Sequence, residues 1–366
     1  MLDDFSKDSI HNGSLDIMDL SIDILSENRW KLYNEFILTK THIYSPHQSE
    51  KWLKMLKNVL NDELKVITAY NGNEIVAVFP LMIRKRERGS VINSLPLSGS
   101  PGGIILKMGI SDDMKLKIIN RVKDYFDNYI LKDNILSYTI IQTPMSEITR
   151  DDYIKLIDPD YVYDRITQYT DLETDELNYR PEVRNRIRRA IRKNVIIDDS
   201  IADSKLEEFW LVYKDNMERK NLAVKSISQF KNYIELFGDS VKYKLALFDN
   251  KVIGGIVYFI FGKHVFLIEV VYKKEYGSLQ PCTLAIDSAL KECKQNGFKY
   301  WNFGASDKKD NGVYIFKSKF GPFEVYYSYF TKILQKEKLK ILGLDYIKSE
   351  FAWYYTAPYD FFKQIS

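Results

Sequence analysis

The sequence is poor in the residues from which many reactive centres are built. Its 366 residues include two cysteines and four histidines. Cys282 and Cys293 fall on one predicted helix, too far apart along it to bridge, so nothing points to an oxidising compartment. The histidines, His11, His42, His47 and His264, show no metal-ligand spacing, and no metal is expected. A Gly-x-Ser-x-Gly elbow and a Cys/His pair are both missing, which leaves covalent hydrolysis without support. Neither phosphate-loop pattern, Gly-x-x-x-x-Gly-Lys or Gly-x-Gly-x-x-Gly, occurs.

Long apolar runs are lacking as well. No stretch approaches the roughly 20 residues that span a bilayer, and residues 1–8 are acidic without the apolar core of a secretory signal. The expectation is a soluble, cytoplasmic protein without a transmembrane segment, leaving room for peripheral membrane contact. Excess charge of one sign is also scarce: 53 Lys and Arg against 50 Asp and Glu leave a net +3, too little to name a partner, and no DNA is expected. With 45% hydrophobic and 28% charged residues the chain can bury a sizeable core, and its length favours two domains.

What is present is a repeat. Apolar runs at 64–70 and 75–83 flank Asn71-Gly72-Asn73, a strong hairpin signal, and runs at 241–248 and 252–261 flank Asp249-Asn250. Aligning Asn73 with Asn250 gives an offset of 177 residues. Each hairpin is followed by a further strand, a helix and another strand (264–271, 281–295 and 298–303 in the second copy), which predicts two α/β lobes of one type. The expected division is a loose arm at 1–20, lobes at 21–164 and 165–335 with a crossing near 158–164, and a C-terminal helix at 336–366. The aromatics of that last segment, among them Phe351, Trp353, Tyr354, Phe361 and Phe362, are expected to cap the core rather than dock elsewhere.

Four local features carry candidate chemistry. The first-lobe loop from Leu95-Pro96 to Gly102-Gly103 lets backbone approach a ligand closely, although an ordered turn explains it as well. Residues 179–194 form a helix with an apolar stripe of Val183, Ile187 and Ile191, and Arg184, Arg188 and Arg192 run along one flank. With Arg186, Arg189 and Lys193 it bears six positive charges, either neutralised by Asp198, Asp199 and Asp203 or reserved for phosphate. The helix after it ends at Met217, Glu218 and Arg219, where Arg219 and Lys220 also suit a helix C-terminus. Finally, the aromatic strand ending in Phe303-Gly304 opens into a polar loop (Ser306, Asp307, Asp310, Gly312) that leads to Phe316-Lys317, read as lying on a strand, and Phe320-Gly321.

That last pattern, Asn302, Phe303, Gly304, Gly312, Phe316, Lys317, Phe320 and Gly321, resembles the C-terminal signature of the FemAB-like aminoacyltransferases and related acyltransferases of the GNAT superfamily. The Leu95-Pro96 to Gly102-Gly103 loop and the arginine helix are similar to that family too, and the resemblance covers roughly residues 40–330. It implies an α/β (α+β) fold of two GNAT-like lobes, each a mixed, mainly antiparallel sheet flanked by helices. It also implies that Lys317 stabilises a developing oxyanion, that Phe316 and the Gly304, Ser306, Asp310 and Gly312 loop contact the donor, that Arg219, Arg184 and Arg188 hold phosphate, and that Gly102 and Gly103 line the substrate groove. No carboxylate is singled out as base; Asp307 and Asp310 are nearest.

The donor is a fork. The coenzyme A turn of ordinary GNAT enzymes needs two glycines at a helix N-terminus, whereas residues 273–282 offer one glycine and Pro281. The resemblance therefore favours aminoacyl-tRNA over acyl-CoA, with no bound cofactor. The expected reaction moves an aminoacyl or acyl group onto an amine of a cell-envelope precursor, nucleotide-sugar or lipid-linked, of peptidoglycan or of a surface-polysaccharide amino sugar. The alternatives are an acyl-CoA-dependent N-acetyltransferase and a non-catalytic protein that binds RNA or an anionic surface through the arginine helix.

Overall fold

The computed structural model of the chain describes residues 20–42, 45–97, 100–131, 134–306 and 312–363. Asp310 and Asp307 lie outside the described residues. In the first lobe, β1 (Leu20–Ile24), α1 (Trp30–Thr39) and α2 (Glu50–Leu60) precede the hairpin of β2 (Glu63–Asn71) and β3 (Glu74–Arg86). Asn71 faces Glu74 across the turn, where Gly72 takes φ +60°, a conformation cheap only for glycine. Then follow β4 (Gly89–Asn93), the short β5 (Ile105–Leu106), α3 (Asp112–Tyr125), β6 (Ile135–Ile141) and α4 (Arg150–Ile157). Ser111 caps α3, accepting a hydrogen bond from the Met114 N–H, and Met114, Ile118, Ile119 and Val122 form its buried face. This helix is the crossover that lets β4 and β6 pair in parallel.

The second lobe repeats the plan. After β7 (Tyr161–Asp171), α5 (Pro181–Arg192), β8 (Ile196–Asp198), α6 (Asp203–Glu218) and α7 (Ile227–Phe237) come the hairpin β9 (Val241–Phe248) and β10 (Lys251–Phe261), then β11 (His264–Tyr272), α8 (Pro281–Gln295) and β12 (Tyr300–Ser306). Here α8 is the crossover, and β11 and β12 are parallel. The chain ends with α9 (Gly312–Ser318), β13 (Phe323–Ile333), α10 (Lys336–Glu350) and α11 (Tyr359–Lys363).

The described strands form one 13-stranded sheet in the order β1-β2-β3-β4-β6-β13-β7-β12-β11-β10-β9-β8, with β5 beside β3. The lobes exchange their last strands. β7 follows β6 in the chain but pairs with β12, while β13 follows β12 but pairs with β6, and the two meet along Tyr161–Asp171 and Phe323–Ile333. The stretch expected as a crossing thus includes the start of a central strand, and the 164/165 division falls inside it. A shared core ties the lobes further: Trp52 of α2 packs against Phe259 of β10, with ring centroids 5.6 Å apart, and against Tyr233 and Phe237 of α7. Phe351, Tyr354, Phe361 and Phe362 are buried in the same core. Gly343, at φ +74°, breaks α10, so the C-terminal segment is a run of short helical pieces rather than one helix. No helix among the described residues is long and apolar enough to cross a membrane.

Candidate active site

The site forms where the second-lobe sheet splits. β11 and β12 pair only from His264, Val265 and Phe266 to Tyr300, Trp301 and Asn302. Beyond that point the strands diverge, and the register of β12 on β7 slips between Asn302 and Ala305. Gly304 sits in the slip at φ +73°, the left-handed region that suits glycine. Asn302 fixes the kink: its Oδ1 accepts hydrogen bonds from the Gly304 N–H and the Thr167 hydroxyl, each at 2.7 Å.

Two cavities open from the split, one of about 460 Å³ and one of about 710 Å³. Both are lined by Leu267, Ile268 and Glu269 of β11, by Phe303, and by Lys317. Lys317 is 8% exposed, and its Nζ donates to the Gly304 and Ala305 carbonyls at 3.0 and 2.9 Å, with Ser306 Oγ at 3.5 Å. A buried ammonium therefore stands where the two chambers meet. It is carried on α9, not on a strand as expected. Val313, Tyr314, Ile315 and Phe316 favour strands by propensity, but a helical turn sets Phe316 edge-to-face with Phe320, centroids 5.6 Å apart, and brings Lys317 back onto β12.

The smaller chamber lies between the lobes. His47, Pro101 and Pro144 from the first lobe, Arg165 of β7, and Trp353 from the C-terminal segment face Tyr213, Lys225 and Tyr233 from the second. Lys225 and Glu269, 5% and 7% exposed, form an ion pair of 2.5 Å in its wall. Burial alone would lower the Lys225 pKa, but the facing Glu269 carboxylate outweighs it and holds the ammonium firmly charged. His47 packs on Phe266 with centroids 4.6 Å apart, and burial beside Lys225 pushes its imidazole down to about 3, so it is neutral.

The larger chamber runs to the N-terminus of α8, where Pro281, Cys282 and Thr283 line it together with Arg186 of α5 and with Arg219 and Lys220 just past α6. Three cations facing a helix N-terminus form an anion-attracting mouth. Burial, with Arg219 adjacent, lowers the Lys220 pKa. Burial pushes the Cys282 thiol up to about 12, which leaves it protonated and unsuited to nucleophilic attack.

This chain is similar to proteins of the GNAT superfamily. The family model described as an acetyltransferase (GNAT) domain matches residues 178–318. Over 87% of this chain and 98% of its own, the structure of FemX superposes with a TM-score of 0.65 at 12% identity. The C-terminal domain of a putative lysylphosphatidylglycerol synthetase from Agrobacterium fabrum gives 0.53 at 11% identity over 86% of this chain and 95% of its own. A tandem GNAT protein from the clavulanic acid biosynthesis pathway gives 0.50 at 9% identity, covering 85% and 98%. No curated protein matches the sequence. The fold is a FemX-like tandem GNAT fold.

Within this tandem GNAT fold the expected site residues separate into groups. Lys317, Gly304 and Ser306 come together at the junction, and Phe316, Gly312 and Arg219 line the larger chamber. Gly102 and Gly103 line neither chamber. They are glycines because a Cβ at Gly102 would meet Leu95 at 2.5 Å and one at Gly103 would meet the Tyr153 hydroxyl at 2.0 Å; Pro101 of that loop forms the wall instead. Arg184 and Arg188 lie in a separate groove between α5 and α8, and Arg186 is the α5 arginine that reaches the chamber. Two of the three acids expected to neutralise this helix are engaged elsewhere. Asp198 and Asp199 pair with Lys205 and Lys244, and among the described residues none of Arg184, Arg186, Arg188, Arg189 and Arg192 ion-pairs with a carboxylate.

Glu269, Lys225, His47 and Trp353 are absent from the expected set. Glu269 was detectable: Val265, Leu267 and Val271 are the buried positions of β11, and Glu269 shares their alternation, so a carboxylate sits in core register. Lys225 lies in a loop and Trp353 in an aromatic-rich tail, and neither position carries a periodic signal. Among the described residues no cluster of His, Cys, Asp and Glu could hold a metal.

Proposed function

We propose that the protein is an acyltransferase that moves an aminoacyl or acyl group from a phosphate-bearing donor onto an amine of a cell-envelope precursor. The observation that carries this reading is the meeting of two chambers at Lys317 and Glu269. One chamber has a cationic mouth and the other opens between the lobes, so donor and acceptor can be held together in a ternary complex. The acceptor amine attacks the donor carbonyl carbon to form the C–N bond. The oxyanion develops beside the Lys317 ammonium, and collapse expels the donor's oxygen or sulfur as leaving group. The amine must shed a proton, and Glu269 is the carboxylate common to both chambers.

Aminoacyl-tRNA is the favoured donor. Pro281 at the first turn of α8 removes one of the N–H groups on which a coenzyme A pyrophosphate would rest, while Arg186, Arg219 and Lys220 offer side-chain charge to phosphate. The α8 N-terminus in the same chamber keeps acyl-CoA as a second reading. Titration of the whole protein with acetyl-CoA, charged tRNA and uncharged tRNA at physiological salt tests this. Preference for charged tRNA, lost in Arg219→Ala, is expected; saturable acetyl-CoA binding with indifference to charged tRNA would overturn the donor assignment. A protein that binds RNA through Arg184 and Arg188 but transfers nothing would be a binding module.

A further inference from the structure

Trp353 combines three features that a capping residue does not need. It takes φ +72°, a conformation that bulky side chains rarely adopt. Its ring makes no contact with another aromatic ring and its indole N–H no hydrogen bond among the described residues; the side chain is part-buried against the apolar core, and the residue lines the smaller chamber. Its neighbours are tied down on both sides. The Ala352 carbonyl accepts from Arg84 Nη1 at 2.8 Å, the Trp353 carbonyl accepts from the Leu97 N–H at 3.1 Å, and the Tyr355 N–H donates to Asn93 Oδ1 at 2.8 Å. Arg84 is itself fixed by a buried pair with Asp62 at 2.8 Å, and Asp62 Oδ2 also accepts from the Tyr354 hydroxyl at 3.0 Å. A strap anchored this heavily over-determines a strained residue, and strain of that kind collects at ligand sites.

We infer that Trp353 is a stacking platform for the acceptor and that the acceptor presents its amine on a pyranose ring, as a hexosamine. This rests on the acyltransferase reading above and chooses among its amine acceptors. Leu97, Pro101, Pro144 and Trp353 give the chamber apolar lining, and Lys225, Glu269 and Arg165 line the same chamber with charge. An amino sugar has the matching polarity: the C–H face of its ring lies on the indole while the hydroxyls and the amine turn to the charged side. A lysine-like peptide amine on an alkyl chain has no flat face to set on the wall.

The test uses the full chain, glucosamine as the sugar probe and cadaverine as the alkyl amine probe, read by titration and by saturation-transfer NMR. Trp353→Gly removes the ring and relieves the backbone, and Trp353→Leu keeps bulk without the aromatic face. Expected are preference of the wild type for glucosamine, saturation of its ring C–H protons, and a loss of about tenfold or more in affinity in both variants, with Trp353→Gly melting within a few degrees of the wild type. Unchanged glucosamine affinity in Trp353→Leu, or wild-type preference for cadaverine, would overturn the inference. A transfer assay on the wild type separates the two readings: Trp353-dependent glucosamine binding with no acyl transfer to glucosamine from either charged tRNA or acetyl-CoA sinks the acyltransferase reading and leaves the platform standing.

Discussion

A buried ion pair is seldom retained for stability, because desolvation of both charges offsets much of their attraction. Lys225 and Glu269 are such a pair, and they sit in the wall of a chamber rather than in a dry core. Removing one partner strands the other charge. Glu269→Gln should therefore destabilise the fold by about 3–5 kcal/mol in urea unfolding, while the double variant Lys225→Met with Glu269→Leu should recover most of that loss. If the single and double variants unfold alike, the pair does not behave as a buried charge couple. Glu269 reaches both chambers, in which His47 is neutral and Cys282 protonated.

At the scale of elements, the sequence was legible wherever the signal was local. The Asn71-Gly72 hairpin and the α3 and α8 crossovers follow from turn chemistry and periodicity within a few residues, whereas β12, expected to end at Phe303-Gly304, runs on through the kink to Ser306. Lys317 was singled out for the same reason, since its motif is contiguous. Its helix was not, because Val313 to Phe316 favour strands and the helical turn is imposed by contacts to β12 and Phe320. β7 was hidden because its partners, β12 and β13, lie far along the chain and its own residues alternate weakly. α5 shows the limit of counting charge. Six cations were visible, but which of them reaches the chamber depends on how Val183 and Ile187 dock the helix against the core, and that docking turns Arg186 inward and Arg184 outward.

At the scale of the whole molecule, the strand exchange makes the two GNAT lobes one mechanical body. β13 lies between β6 and β7, so neither half of the sheet is complete without chain from the other half of the sequence. α2 adds a first-lobe helix to the second-lobe core. The protein should accordingly unfold in a single transition, with calorimetric and van't Hoff enthalpies in agreement. Two resolved transitions would mean that the exchanged strands do not couple the lobes. The coupling matters for the site because the smaller chamber is built from both lobes and from the C-terminal strap, and a shift of either would change the shape of the chamber that Lys317 lines.

The most direct test of the central claim is single-turnover transfer by Lys317→Met with donor and acceptor both saturating, alongside donor affinity measured on the same protein. The ammonium stands at the junction of the two chambers and would act on charge that appears only in the transition state. The rate of transfer should therefore fall by about 10²–10³-fold while donor affinity changes little. A variant that transfers at the wild-type rate would contradict the account, and so would one whose loss lies wholly in donor binding.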